Sequence, residues 1–167
     1  MIIITIGAST RPPINHDLPI LRLANSHTAL FFIEKPVLYP KGSLNFFAFF
    51  IREAHKKGIK VIIDGVFNHC GSFHKWLDRE GIYKMTGKYP PGAYEGKKSP
   101  YRDYFRFYGG EDSKSYDGWW GHDTLPKLFY ENSEKLCNKI MEIARKWVMP
   151  PYCADGWRLD VAADLGH

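Results

Sequence analysis

Apolar residues recur along this chain with two different periods, and the switches between them mark its elements. From Leu44 to about position 57, Phe46, Phe47, Phe50, Ile51 and Ala54 fall three and four apart, the spacing of one helix face. Ser43 stands where a side-chain oxygen can cap the first free amides. Lys56 and Lys57 sit in the last turn, opposite the negative end of the helix dipole, and Gly58 ends the pattern. Positions 59–66 follow as a nearly unbroken apolar run with Asp64 near its end, which reads as a buried parallel strand. The sequence repeats this theme later. Leu136, Ile140, Ile143, Ala144, Trp147 and Val148 predict a helix from near Asn132 or Ser133 to the stop at Pro150-Pro151. Residues 155–161 then read as a strand, with Arg158 and Asp160 on one side because strand side chains alternate. Helix, strand, helix, strand in this order predicts an α/β fold with parallel strands.

The rest of the chain is less periodic. Positions 2–6 and 29–33 can form short strands, but Pro12, Pro13, Pro19, Pro36 and Pro40 break up everything else before Ser43. Residues 1–42 therefore stay unassigned. Positions 70–130 are rich in Gly, Pro, Tyr and charge and too long for a strand-to-helix loop, so they predict an irregular inserted subdomain.

Composition sharpens the picture in three places. Five Trp, ten Tyr and eleven Phe are more rings than usual, and they either fill a core or offer flat apolar faces to a ligand such as a sugar. The net charge of +5 is spread among acidic residues with no accompanying nucleic-acid motif, so a solvated surface accounts for it. Cys70, Cys137 and Cys153 cannot all pair and match no zinc spacing, although His69, Cys70 and His74 lie close in sequence without an evident fourth ligand. Three reduced thiols fit a cytoplasmic protein with no metal. The apolar start of the chain is short and has no basic leader, so neither a signal peptide nor a membrane span is expected.

Parallel α/β folds gather functional residues at the carboxyl ends of their strands. Asp64, Asn68 and His69 close the first predicted strand, and Arg158, Asp160 and Asp164 close the second. Asp64 and Arg158 are natural partners if the strands are neighbours, whether as a structural ion pair or as part of a site. In order along the chain, DGVFNHCG (64–71), LPKL (125–128) and DGWRLDVA (155–162) resemble three regions of the alpha-amylase family, glycoside hydrolase family thirteen. The forms are most similar to its neopullulanase, cyclomaltodextrinase and amylopullulanase branch. The resemblance covers about 43–167.

The resemblance implies a (β/α)8 barrel, of which residues 43–167 carry about two β/α units and the insertion at about 70–130. It implies a retaining hydrolase or transglycosylase acting on α-1,4 glucans, with α-1,6 bonds left open, such as maltodextrin, starch or pullulan. Asp160 matches the nucleophile, Arg158 the residue that orients it and keeps it ionised, and Asp64 the group that holds Arg158. His69 matches the residue that hydrogen-bonds the sugar at the cleaved bond, and Asn68 supports the turn into the insertion. Val161 and Asp164 match the acceptor side of the cleft, although neopullulanase-like relatives usually have Asn where Ala163 stands and Glu where Asp164 stands. His167 matches the end of that region. Trp119, Trp120 and Tyr116 are candidates for lining the cleft or for the core of the insertion. No cofactor is required; many relatives bind a structural calcium ion through the equivalent of Asn68, which leaves calcium open. The expected partner is an α-glucan, not a nucleic acid or a membrane.

The mechanism also needs a second carboxyl group as acid/base. None of Glu95, Glu111, Glu131 and Glu134 matches it, and a closed barrel takes about 250 residues. The expectation is a fragment that is inactive alone. The alternatives are a non-catalytic glucan-binding remnant and a basic interaction protein.

Overall fold

A computed structural model describes residues 2–5, 22–23, 44–110 and 112–164. The predicted Ser43 cap, the 29–33 strand, Glu111 and His167 lie outside them. The chain divides into two compact units: Met1–Gly7, Pro13–Gly65 and Glu142–Leu159 in the first, and Ala8–Pro12, Val66–Met141 and Asp160–His167 in the second.

The first unit is a sheet with helices. Strands β1 (Ile2–Thr5), β2 (Arg22–Leu23), β3 (Val61–Gly65) and β6 (Gly156–Leu159) lie in the order β2-β1-β3-β6. β1 and β3 are parallel with Ile2 opposite Val61, and β3 and β6 are parallel with Asp64 opposite Arg158; β2 runs antiparallel to β1. The short apolar run at the start of the chain thus joins the sheet as a third parallel strand.

Helix α1 (Leu44–Lys56) ends one residue before the predicted limit. Gly58, at φ +68°, closes it by donating its amide to the His55 carbonyl, and Ile59 donates to Ala54. The buried face is narrower than the sequence stripe. Phe47, Ile51 and Ala54 are buried with Val61, Ile63, Tyr152 and Ala154, while Phe46 and Phe50 are only half-buried. Phe47 meets Trp147 edge-on at 5.3 Å. Trp157 donates its indole N–H to the Ala144 carbonyl at 3.3 Å, fastening β6 to the end of α2 (Glu134–Val148).

Asp155 clasps the starts of β3 and β6. One of its carboxylate oxygens accepts from the Val61 amide at 2.8 Å and lies 2.7 Å from His55 Nε2; the other accepts from Lys60 Nζ at 2.9 Å. The Asp155 amide donates back to the Val61 carbonyl. The Val61 hydrogen bond first, then Lys60 and His55, hold the Asp155 carboxyl well below the usual carboxylate range.

The second unit has little regular structure, as its composition predicts. A two-stranded hairpin, β4 (Phe107–Tyr108) and β5 (Ser115–Tyr116), and several single 3-10 turns surround Trp76, Leu77, Ala93, Tyr104, Phe105, Leu128 and Leu136. Side chains replace the missing secondary structure in satisfying the backbone. Asp78, 2% exposed, accepts from the amides of Tyr83 and Lys84. Arg102 donates to the carbonyls of Ala93 and Ser113 while its guanidinium lies 3.3 Å over the Phe107 ring. Ser133 caps α2 through the Leu136 amide, one turn before the buried Leu136.

Candidate active site

In the first unit, parallel pairing places Asp64 of β3 beside Arg158 of β6, and Arg158 Nη1 donates to Asp64 Oδ1 at 2.8 Å. Asp64 is 8% exposed, so its charge needs this partner; the Arg158 side chain is half exposed. Both residues sit near the carboxyl ends of their strands, so the arginine is held by one oxygen of a buried carboxylate and still reaches solvent.

In the second unit, the LPKL segment is the organiser. It lies between two other stretches and bonds to both. Leu128 donates to Asn68, Cys70 donates to Pro126, and His69 and Lys127 form an antiparallel bridge. On the other side Lys127 donates to Asp117, Trp119 donates to Leu125, and Gly118 bridges Pro126. The backbone of 125–128 therefore brings His69 and Trp119 together, with stacked rings 4.9 Å apart and 10° from parallel. Trp119 donates its indole N–H to Asp164 Oδ2 at 3.2 Å.

His69 carries the electrostatics of this cluster. Burial pushes its pKa down, and the Asp160 carboxylate opposes that shift. The Asn68 side-chain amide lies 3.4 Å from His69 Nδ1, a hydrogen bond between neighbours in the chain. Asn68 is 1% exposed and fixed by the LPKL segment through its carbonyl. Its Oδ1 is buried and has no hydrogen-bond partner.

An orphaned oxygen invites a cation, and a calcium ion takes six to eight oxygens. Among the described residues no three His, Cys, Asp or Glu side chains converge anywhere. Asn68 Oδ1 is an oxygen of the class that calcium takes, alongside backbone carbonyls and carboxylates.

The other expected site residues divide. Asp160 and Val161 lie in the turn after β6, and Val161 has φ +51°, an uncommon conformation for a β-branched residue. Trp120 is 81% exposed and is not core. Tyr116 is core-like: its ring meets Tyr94 and Phe107 edge-on, and its hydroxyl donates to the Asp123 carbonyl. Two supporting residues carry little signal in the sequence. Tyr130 donates its hydroxyl to the Phe67 carbonyl, beneath the DGVFNH stretch, and burial drives its pKa up. Asp155 forms the clasp already described; the sequence shows it only as the first residue of the DGWRLDVA segment, and the strand begins one residue later, at Gly156.

Comparison with known proteins gives these placements a context. The alpha-amylase catalytic-domain profile matches residues 41–167. The chain belongs to the alpha-amylase family. An amylopullulanase of Thermoanaerobacter thermohydrosulfuricus is 37% identical over 145 residues, covering 75% of this chain and 10% of that protein. A cyclomaltodextrinase of Thermoanaerobacter pseudethanolicus is 35% identical over 124 residues, 70% of this chain and 19% of that protein. The crystal structure of an alpha-amylase from H. orenii superposes with a TM-score of 0.56 at 30% identity, covering 73% of this chain and 25% of that one. The chain thus spans a tenth to a quarter of these proteins. The relatives carry enzyme names of the branch read from DGVFNHCG, LPKL and DGWRLDVA, and the fold is the expected α/β barrel portion with parallel strands.

Proposed function

We propose that this chain carries the nucleophile side of a retaining glycosidase or transglycosylase site for α-1,4 glucans, with α-1,6 bonds as a second target. The observation that carries the reading is the Arg158–Asp64 pair on adjacent parallel strands, inside two of the three segments that resemble the family and within the matched range 41–167. Asp160 attacks the anomeric carbon and forms a covalent glycosyl-enzyme, which water or another sugar then opens. Arg158, braced by Asp64, stands two positions before Asp160 in the chain and matches the family's residue that orients the nucleophile. His69 hydrogen-bonds the sugar at the cleaved bond. Asn68 supports the turn that carries His69. Val161, Asp164 and the Trp119–Trp120 pair belong to the substrate surface.

Departure of the leaving group needs a proton from a second carboxyl group, and no residue here is assigned that role. We read residues 43–167 as part of a catalytic barrel with about 70–130 inserted. The free thiols of Cys70, Cys137 and Cys153 support a cytoplasmic setting. Among the described residues no helix is long and apolar enough to cross a membrane. The partner is an α-glucan, and neither nucleic acid nor membrane enters this reading. Exposure of Trp120 favours one second reading, a non-catalytic glucan-binding module.

A segment exchange tests the proposal. The 145-residue stretch of the Thermoanaerobacter thermohydrosulfuricus amylopullulanase that matches this chain is replaced by its counterpart here, and release of reducing sugar from maltodextrin and pullulan is measured. Turnover that Asp160→Asn abolishes supports the nucleophile assignment. Equal turnover by the Asp160→Asn chimera sinks it. A folded chimera that binds glucan without turnover favours the binding module.

A further inference from the structure

Trp119 and Trp120 are neighbours in sequence but differ in every physical respect. Trp119 stacks against His69, and its indole N–H is engaged by Asp164. Trp120 stacks on Trp119 at 5.1 Å and 24° and otherwise stands in solvent, 81% exposed. A bare indole face is a large apolar surface that folding does not bury, so the fold gains little from keeping it.

The backbone supports the same contrast. Trp120 sits at φ +51°, ψ +31°, the left-handed region where a residue with a Cβ is strained and glycine is not. The turn that holds it there is closely built. A Cβ on Gly118 would lie 2.2 Å from the His122 carbonyl oxygen, so only glycine fits at that end. Gly121 donates to Gly118, His122 to Trp119, and Leu125 to His122. The LPKL segment anchors the turn through the Trp119–Leu125 hydrogen bond and the Gly118–Pro126 bridge. The turn's hydrogen bonds thus hold a large ring outward in a strained conformation, and strain kept for one stacking contact and little burial points to function.

We propose that the exposed face of Trp120 is a stacking platform for a pyranose ring of an α-glucan, presented by the strained 118–122 turn and backed by Trp119. The flat C–H face of a glucose unit covers a ring face without requiring hydrogen bonds, which suits a side chain whose surroundings are solvent. Trp119 is the mount, fixed to His69 and Asp164, and is not itself the platform. The glucan identity rests on the function proposed above; the division of labour between the two rings rests on the geometry.

The test titrates the full 167-residue chain with maltoheptaose, read by calorimetry and intrinsic fluorescence in parallel, with urea midpoints for every variant. Wild type is expected to bind saturably. Trp120→Phe keeps a flat ring and Trp120→Leu keeps an apolar side chain at the same backbone cost. The expected result is a Kd within about threefold of wild type for the first and at least about tenfold weaker for the second, a difference typical of one ring contact. Trp120→Gly is expected to lose binding while unfolding at a higher urea concentration than wild type. Equal affinity of Trp120→Leu and wild type overturns the platform and leaves the glucan reading intact. A lower urea midpoint for Trp120→Gly overturns the argument from strain. No saturable signal from wild type overturns the glucan reading itself.

Discussion

His74 makes the second unit sensitive to acid, and the size of the effect can be worked from its surroundings. Its ring packs edge-on to Trp76 at 4.6 Å, and its Nδ1 accepts from the Trp76 amide at 3.3 Å. Burial, helped by the neighbouring Lys75 charge, pushes its pKa from 6.5 down to about 4. The unfolded chain therefore binds a proton that the folded chain refuses, and stability falls as pH drops. The loss begins near pH 6.5 and is complete below about pH 4. At about 1.4 kcal/mol per pKa unit the full loss is about 3 kcal/mol, with about 2 kcal/mol gone by about pH 5. Asn at position 74 offers Oδ1 in place of Nδ1 as acceptor for the Trp76 amide and does not titrate. Urea unfolding at a series of pH values from about 7.5 to about 4.5, followed by tryptophan fluorescence, measures the difference. The expected outcome is wild type losing about 2 kcal/mol more than His74→Asn between about pH 7.5 and about pH 5. Parallel stability curves for the two proteins would refute the reasoning.

Three further outcomes follow from the packing. Asp155→Ala removes acceptors for the Val61 amide, Lys60 and His55, and should lower stability by about 2 kcal/mol in urea melts near neutral pH. Because the Asp155 carboxyl titrates lower in the folded state than unfolded, its contribution is present above about pH 4 and fades below it, so this deficit should shrink in acid. Ile51→Ala empties a site 1% exposed and should cost about 3 kcal/mol; hydrogen exchange of the β3 amides reads the loss in the first unit. Tyr130→Phe deletes the hydroxyl that meets the Phe67 carbonyl and should cost about 1 kcal/mol, with altered NMR shifts at Asn68 and His69 as the local signature.

The elements of the first unit were legible because their determinants are local. A 3.6-residue apolar period, a terminal glycine and an apolar run specify α1 and β3 within a residue or two, whatever lies around them. The two motif segments that end strands were equally legible, since a charged residue at the end of an apolar strand is costly to bury unless it pairs. Which half of the helix stripe is buried was not legible, because Phe46 and Phe50 have the same period as Phe47 and Ile51 and differ only in what faces them.

The sequence alone determined the α/β class, the family and the candidate residues Asp64, His69, Arg158 and Asp160. Tertiary structure decided their relationships. Strand order makes Asp64 and Arg158 partners across the sheet, since residues so far apart in the chain meet only through backbone pairing. Backbone bonds from LPKL place His69 against Trp119, although that segment carries no recognisable secondary-structure period. Trp119 and Trp120 are identical in chemistry and adjacent in position. A left-handed turn and its hydrogen bonds, which depend on the close approach of Gly118 to His122, tie one to its neighbours and leave the other bare.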